Sequence, residues 1–563
     1  MRPLDWIFLL STQAFIIVYG LWRARKKSSG ASYHDGGGLN WFTVGISVMA
    51  TQASAITFLS APGKAFDDGL RFVQYYFGLP LAIIVVSAVA IAIYKRQNAR
   101  TAYEILESRY NVYVRLLAAS LFLIQRGLAA GFTIFAPALV LSAVLGWDIS
   151  LTVVFTGAIV VFYTLTGGAK AVAETQKTQM FVIFAGMIFA TVLMMQKIPL
   201  SFTDTLHVAG ATGKLNAIDT AFSLKGEYNI WSGLIGGFFL ALSYFGTDQS
   251  QVGRYLSGAS ETQSRLGMVF NGFMKIPMQF GILLIGVLLY VYYVFFPAPL
   301  SFNKAMDEKV PDAKRMELIA EQQDIRGRQE KAAVQYLDAV KAANEPRKEE
   351  LSAELRSLHA EQNALRKKTG EVIREAHKGA DTNDTNYVFF FFVYQVLPAG
   401  MLGLIISVII SASMSSTSSE LNALATTTAF DFYKRLSGKT LSEDFIVNFT
   451  KWATLGWGIL ATAFALYANR LGTLIEAVNY MGSIFYGTIL GIFLCAFFLK
   501  RTRAWQVLTA AAVTQVTVIL IDVFTDVHFL WFNAIGGILL PLLALGLSLT
   551  DLLTGREEER MNE

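Results

Sequence analysis

The ten residues Ser411-Ala-Ser-Met-Ser-Ser-Thr-Ser-Ser-Glu420 close a long apolar run and bring seven hydroxyls with them. In a membrane helix each hydroxyl needs a partner, because hydrocarbon supplies none. Ser415, Ser416, Ser418 and Ser419 sample several directions around a helix, so at least one pair faces the protein interior. A hard monovalent cation such as Na+ takes a cage of neutral oxygens. Hydroxyls together with carbonyls freed by a broken helix make such a cage. Small residues for close helix packing are the competing reading.

The elements that must position these groups are membrane helices. Of 563 residues, 54% are hydrophobic and 16% charged, against about 25% charged in soluble domains. The charges fall between apolar segments of bilayer length. Thirteen spans are expected, near 4–22, 41–66, 72–94, 113–145, 149–166, 175–197, 230–254, 268–296, 387–419, 446–468, 471–499, 504–525 and 529–552. Arg23 to Lys27 follow the first span, which reads as a retained helix with its N-terminus outside. On that orientation Lys95, Arg96, Arg100, Arg109, Lys170, Arg254, Arg265, Lys434, Arg435, Lys439, Lys500, Arg501 and Arg503 fall on the cytoplasmic side, with Arg71 and Arg470 as isolated cases in the short outside loops, in keeping with the positive-inside rule. The C-terminus then lies in the cytoplasm, and the chain is a multi-pass protein of the inner (plasma) membrane. The net charge of +5 reflects this topology rather than a nucleic-acid partner. A single cysteine, Cys495, allows no internal disulfide.

Residues 303–386 break the pattern, being polar and without a spanning run. Leu351, Leu355, Leu358, Gln362, Leu365, Thr369 and Val372 make a mostly apolar helical stripe, an earlier helix covers roughly 312–343, and Asn344-Glu-Pro346 reads as the turn between them. The segment is expected to be a helical hairpin outside the membrane: a solvated decoration, or a lid or arm that contacts an extracytoplasmic partner.

Two spans carry interruptions. The second has Ala50-Thr-Gln-Ala-Ser-Ala-Ile-Thr57 in mid-span. The seventh has Gly233, Gly236 and Gly237 and then Tyr244-Phe-Gly-Thr-Asp-Gln249. Broken helices five spans apart point to an inverted-repeat transporter with its site at the midplane, and kinked packing helices are the plainer alternative.

Four motifs, Ser54-Ala-Ile-Thr-Phe-Leu-Ser-Ala-Pro-Gly63, Gly167-Gly-Ala-Lys-Ala-Val172, Tyr244–Gln249 with Arg254-Tyr-Leu256, and Ser411–Asn422, together resemble the solute:sodium symporter family of sugar, proline, vitamin, iodide and sialic-acid carriers. The resemblance implies an all-α membrane protein with a leucine-transporter-type five-plus-five inverted repeat. It divides the chain into a leading helix and loop (1–40), a first repeat (41–200), a second repeat (230–302 and 387–500) interrupted by the hairpin insertion (303–386), and two trailing helices with a tail (504–563). The hairpin is not part of the family's common core. The family's principal sodium site maps onto the carbonyls of Ala50, Ala53 and Ala412 and the hydroxyls of Ser415 and Ser416. Ala412 and the two serines are three and four residues apart, hence on one helix face. A second sodium site of some members maps onto Ser418 and Ser419. Its aspartate position holds Gln176, which offers an oxygen but no charge. Glu174 and Glu420 are nearby acids in sequence, with pairing to Lys170 or Arg254 as the plain alternative.

Between the broken spans the candidates for holding substrate are Ser54, Thr57, Gln74, Arg126 and Phe245, with Tyr244 as a gate or a packing aromatic. Ser54 and Thr57 share a face one turn from the sodium carbonyls, so an occupied ion site could organise them. Arg126 lies in mid-span, where a guanidinium is costly unless it meets a cavity or an acid. It offers forked recognition of a carboxylate, although it sits about one turn nearer the cytoplasm than the arginine of the family's sialic-acid carriers; a structural or gating role is the other reading. The expected function is import of a small polar organic solute (a sugar, sialic acid or other carboxylate) together with Na+, by alternating access. A membrane-embedded solute sensor on the same fold is the alternative, and net flux separates the two. An enzyme is not expected: the five histidines are scattered, with no nucleophile–base constellation and no phosphate-binding loop.

Overall fold

In the computed structural model, residues 2–25, 38–226, 228–378, 380, 382–396, 398–438, 441–468 and 473–553 are described. Among them the chain is all-helical, with one isolated bridge, Leu39 to Gly258, in place of any sheet. The longer helices relevant to the site are α1 (Pro3–Arg25), α2 (Trp41–Gln52), α3 (Ala55–Asp68), α4 (Val112–Leu145), α5 (Ile149–Lys197), α6 (Gly237–Thr247), α7 (Gln249–Leu256), α8 (Glu261–Phe295), α9 (Asp312–Lys341), α10 (Glu345–Ala376), α11 (Met401–Thr427), α12 (Glu443–Ala465), α13 (Leu474–Phe498), α14 (Ala504–Phe524) and α15 (Leu530–Leu553). Eight described helices are long and apolar enough to cross a bilayer, and three shorter apolar ones accompany them.

The hydroxyl-rich α11 is the central column. It packs against α1, α4, α5 and α12, and its hydroxyls are buried with it. Its start differs from the expected span 387–419. A short helix, Val388–Val396, ends before Pro398, which has no amide hydrogen to continue a ladder. Gly400 then turns at φ +93°, and α11 begins at Met401. The expected spans at 149–166 and 175–197 also differ, since Ile149–Lys197 is a single 49-residue helix by its backbone. It touches one turn of α11 at two places: Thr164 reaches Ser418 at 2.8 Å and Gln176 reaches Ser415 at 2.7 Å.

Both interrupted helices are broken in the structure. The α2 ladder stops at Gln52, with Ala53 at ψ 71° and Ser54 extended at ψ 171°, before α3 resumes. Between α6 and α7, Asp248 is extended at ψ 119° and its carboxylate caps Ser250 N–H. The backbones approach closely here: a Cβ on Gly286 of α8 would stand 2.1 Å from the Pro62 carbonyl.

Helices α9 and α10 pack on each other, joined where the Asn344 side chain accepts the Arg347 N–H. Leu351, Leu355, Leu358, Leu365, Thr369 and Val372 are buried along α10. Arg366 ties α10 to the end of α3 through Asp67 (2.6 Å) and to the following connector through Asp384 (2.6 Å). Arg23 and its neighbours to Lys27 lie outside the described side chains, as do Lys439 and the C-terminal tail.

Candidate functional site

Where α2 stops, the carbonyls of Ala50 to Ala53 have no helical amide one turn on to bond. That break lies against α11. Thr51 Oγ1 donates to Ser419 Oγ at 3.2 Å, and Ser47 Oγ donates to Gln176 Oε1 at 2.6 Å. The Gln176 amide in turn donates to the Ser415 hydroxyl at 2.7 Å, so α2, α5 and α11 meet at one buried point. Ser416 Oγ donates to the Ala412 carbonyl at 3.0 Å, which holds those two oxygens side by side. The structure thus brings the five residues assigned to the principal ion site to the buried α2–α3 break and to one turn of α11.

The other hydroxyls of the run bind helices together. Ser411 accepts from Gln13 of α1 at 3.0 Å, Ser413 donates to the Thr133 carbonyl of α4 at 2.6 Å, and Thr417 donates to Thr133 Oγ1 at 2.9 Å. Of the trio read as a second site, Ser418 is engaged by Thr164, whereas Ser419 accepts from Arg254 at 2.6 Å and from Gln176 at 3.3 Å. The hydroxyls of α11 therefore divide between the α2–α3 break and the neighbouring helices α1, α4 and α5. No cluster of three His, Cys, Asp or Glu side chains able to hold a metal occurs among the described residues.

Next to the break is a cavity of about 110 Å³. Ser54, Thr57, Arg126, Tyr244 and Phe245 line it, and so do Gln125, Lys275, Glu420, Asn479 and Tyr486. Gln74 does not reach it. Its side chain is fully buried elsewhere, where it accepts the Asp219 N–H at 2.9 Å and donates to the Tyr228 carbonyl at 3.2 Å, so it fastens the 219–228 loop.

Of the two readings of Arg126, its partners favour the structural one. Its guanidinium is 3% exposed and bonds Asp248, Tyr486 and the Glu420 carboxylate, the last at 3.1 Å. The forked acceptor that such an arginine calls for is thus supplied by the protein itself. Glu420 pairs with Arg126 and Thr133. The Glu174 and Lys170 side chains lie outside the described residues. Tyr244 lies under Arg126, with 5.3 Å between guanidinium and ring, and its hydroxyl accepts from Gln251 at 2.6 Å.

Asp248, Tyr486 and Lys275 were not singled out from sequence. Lys275 could have been, because a lone lysine within the apolar run 268–296 carries the same signal that marked Arg126. Above the cavity, towards the hairpin, Lys64 of α3 pairs with Asp68 at 2.6 Å and with Glu476 of α13 at 2.8 Å, and Tyr228 donates to Glu476 at 3.1 Å.

The model of the "Sodium:solute symporter family" matches residues 33–318 and 362–511. The chain is 30% identical to the human sodium/iodide cotransporter over 296 residues, which is 51% of this chain and 44% of that one. It is 26% identical to the Xenopus laevis sodium-coupled monocarboxylate transporter 1 over 491 residues, 86% of this chain and 66% of that one. The chain therefore spans less than two-thirds of the length of either relative. Among solved structures, a Na+-coupled sialic acid symporter in a substrate-bound outward-open state superposes with a TM-score of 0.74 over 97% of this chain and 98% of that one, at 20% identity. That likeness is one of fold.

Proposed function

The chain belongs to the sodium:solute symporter family, a family of membrane transporters and not of enzymes, and from that premise we propose that it imports a small polar organic solute together with Na+ by alternating access. The observation that carries this reading is the meeting of the α2–α3 break with α11, where Thr51 and Ser419 bond across the two at 3.2 Å. Na+ would sit among the carbonyls of Ala50, Ala53 and Ala412 and the hydroxyls of Ser415 and Ser416. Neutral oxygens suffice for a monovalent ion and let it go on the cytoplasmic side. Ser54 and Thr57 follow the break directly, so filling the ion site fixes the helix end that presents them to the solute. Ser418, Ser419 and Gln176 form at best a site without a carboxylate, and we read one Na+ per cycle.

The two breaks five spans apart, and the fold shared with the sialic acid symporter, support a five-plus-five inverted repeat over 41–200 and over 230–302 with 387–500. On this reading the N-terminus is outside and the α9–α10 hairpin is extracytoplasmic. Relatives named for monocarboxylates and a structural neighbour named for sialic acid favour a carboxylate solute over a sugar.

One Na+ moving with one carboxylate carries no net charge, so the membrane potential does no net work on the pair, and a tenfold Na+ gradient supplies ~1.4 kcal/mol. That is enough for about tenfold accumulation of the anion. The test is uptake into proteoliposomes with and without a Na+ gradient. Gradient-dependent accumulation is expected, and uptake unchanged when choline replaces Na+ rejects the reading.

A further inference from the structure

Helix α3 is a lever with a joint at each end. It is helical from Ala55 to Asp68, about 21 Å at 1.5 Å per residue. At one end Ala53 (ψ 71°) and Ser54 (ψ 171°) leave helical geometry, and at the other Gly69 turns at φ +71°. The first joint carries the Ala53 carbonyl of the proposed ion cage and presents Ser54 to the solute. The second is gripped from the hairpin side.

That grip is made of charges and carbonyls. Arg366 of α10 donates to Asp67 through Nη1 and to Asp384 through Nη2, both at 2.6 Å, and its guanidinium lies 5.5 Å from the Phe66 ring centroid. The other Asp67 oxygen accepts from Thr385 at 2.9 Å. Lys214, 3% exposed, donates to the carbonyls of Phe66 and Asp67 in the last turn of α3, where a cation also suits the helix dipole. Helix α10 reaches the same lysine through His359 at 2.9 Å, and Arg356 fastens α10 to the Ala211 carbonyl at 3.1 Å. Gly63 leaves no room for a Cβ against the Thr385 carbonyl, so the connector after α10 lies directly on α3. The family model leaves 319–361 unmatched. Arg356 and His359 belong to that stretch, so part of the grip is peculiar to this chain. The residues that make it line neither the ion cage nor the central cavity; what they fix is the direction of α3.

We propose that the hairpin is a clamp on the second half of the broken helix, with Arg366 as its positioning residue: it holds α3 where the hairpin side is closed, and so sets how often an ion arriving from that side finds its site open. The inference rests on the transport reading above and gives the hairpin a part in the cycle. Releasing the clamp frees α3 to swing about Ala53 and Ser54, and Lys64 moves with it away from Glu476. A site open for a larger fraction of the time takes up ion from that side at a proportionally lower concentration.

The experiment uses the full chain in proteoliposomes, with Cys495→Ala and Val478→Cys as the background, Val478 being on the cavity wall. Arg366→Gln should speed labelling by an impermeant maleimide from the hairpin side about fivefold and lower the Na+ concentration for half-maximal uptake by a similar factor. Arg328→Gln breaks only exposed ties within the hairpin and should leave both readings as they are. A merely structural arginine would lower the melting temperature and move neither. An unchanged labelling rate in Arg366→Gln overturns the proposal, as do faster labelling with the Na+ dependence unmoved and equal acceleration in Arg328→Gln. Should Arg366→Gln fail to fold, Thr385→Val takes one hydrogen bond from the same Asp67 carboxylate and is read by the same two measurements. The symport reading fails on a different result, wild-type uptake indifferent to Na+, on which the labelling rate does not depend.

Discussion

Glu476, in the first turn of α13, stands 2.8 Å from the ammonium of Lys64 on α3, although 412 positions separate them in sequence. The pair, with Tyr228 on the same carboxylate, bridges the second half of one broken helix to a helix on the other side of the cavity. Breaking this bridge should open the hairpin side. With the single cysteine removed (Cys495→Ala) and a thiol placed on the cavity wall (Val478→Cys), Glu476→Gln should speed labelling by an impermeant maleimide roughly fivefold, the factor for ~1 kcal/mol. An unchanged rate would show that the pair does not hold the closure.

The serines of α11 should separate by function. Ser415→Ala or Ser416→Ala removes one oxygen of the proposed ion cage and is expected to raise the Na+ concentration for half-maximal uptake about fivefold, for a loss of ~1 kcal/mol. Ser418→Ala removes the partner of Thr164 instead. It should lower the melting temperature and leave the Na+ dependence in place. Equal Na+ shifts in all three variants would contradict the assignment.

Arg126 should behave as a structural cation. Arg126→Ala leaves Asp248 and Glu420 buried without their counter-charge, a loss of about 3–5 kcal/mol. Because Glu420 is one of the two acids so exposed to burial cost, adding Glu420→Gln should restore part of the lost thermal stability. A double variant no more stable than Arg126→Ala would mean that the arginine contributes something other than charge balance.

Local chemistry explains what could be read from sequence. The α2–α3 break was legible because Thr51, Gln52 and Ser54 interrupt an apolar span, and the α6–α7 break because Asp248 follows a glycine-loosened segment. The Arg126–Asp248 and Arg126–Glu420 pairs were not legible. Their partners lie 122 and 294 residues away, and no periodicity encodes which acid meets a lone arginine. Gln74 was misplaced for the same reason: its amide fastens the backbone at Asp219 and Tyr228, a tertiary role that leaves no mark in its neighbourhood. The start of α11 was missed although Pro398 and Gly400 announce it, because the phenylalanine-rich stretch before them is apolar enough to pass for the same span.

The contact between the hairpin and the end of α3 should depend on pH through His359. Lys214 donates to the carbonyls of Phe66 and Asp67 and to His359 Nε2 at 2.9 Å. An ammonium can only donate, so Nε2 must accept and the imidazole is neutral, with its proton on Nδ1. Burial, and then the Lys214 charge, push the His359 pKa down to about 3, while burial lowers that of Lys214 to about 8. Unfolded, His359 takes up its proton as the pH falls through about 6.5. Folded, it resists protonation to about 3, so the unfolded chain binds more protons across that window and stability falls as the medium is acidified. At pH 5 the loss from this group is about 2 kcal/mol at most. Melting temperatures between pH 7 and pH 5 should therefore decline more steeply in the wild type than in His359→Gln, whose amide oxygen accepts from Lys214 without titrating. Parallel declines would place the acid sensitivity elsewhere.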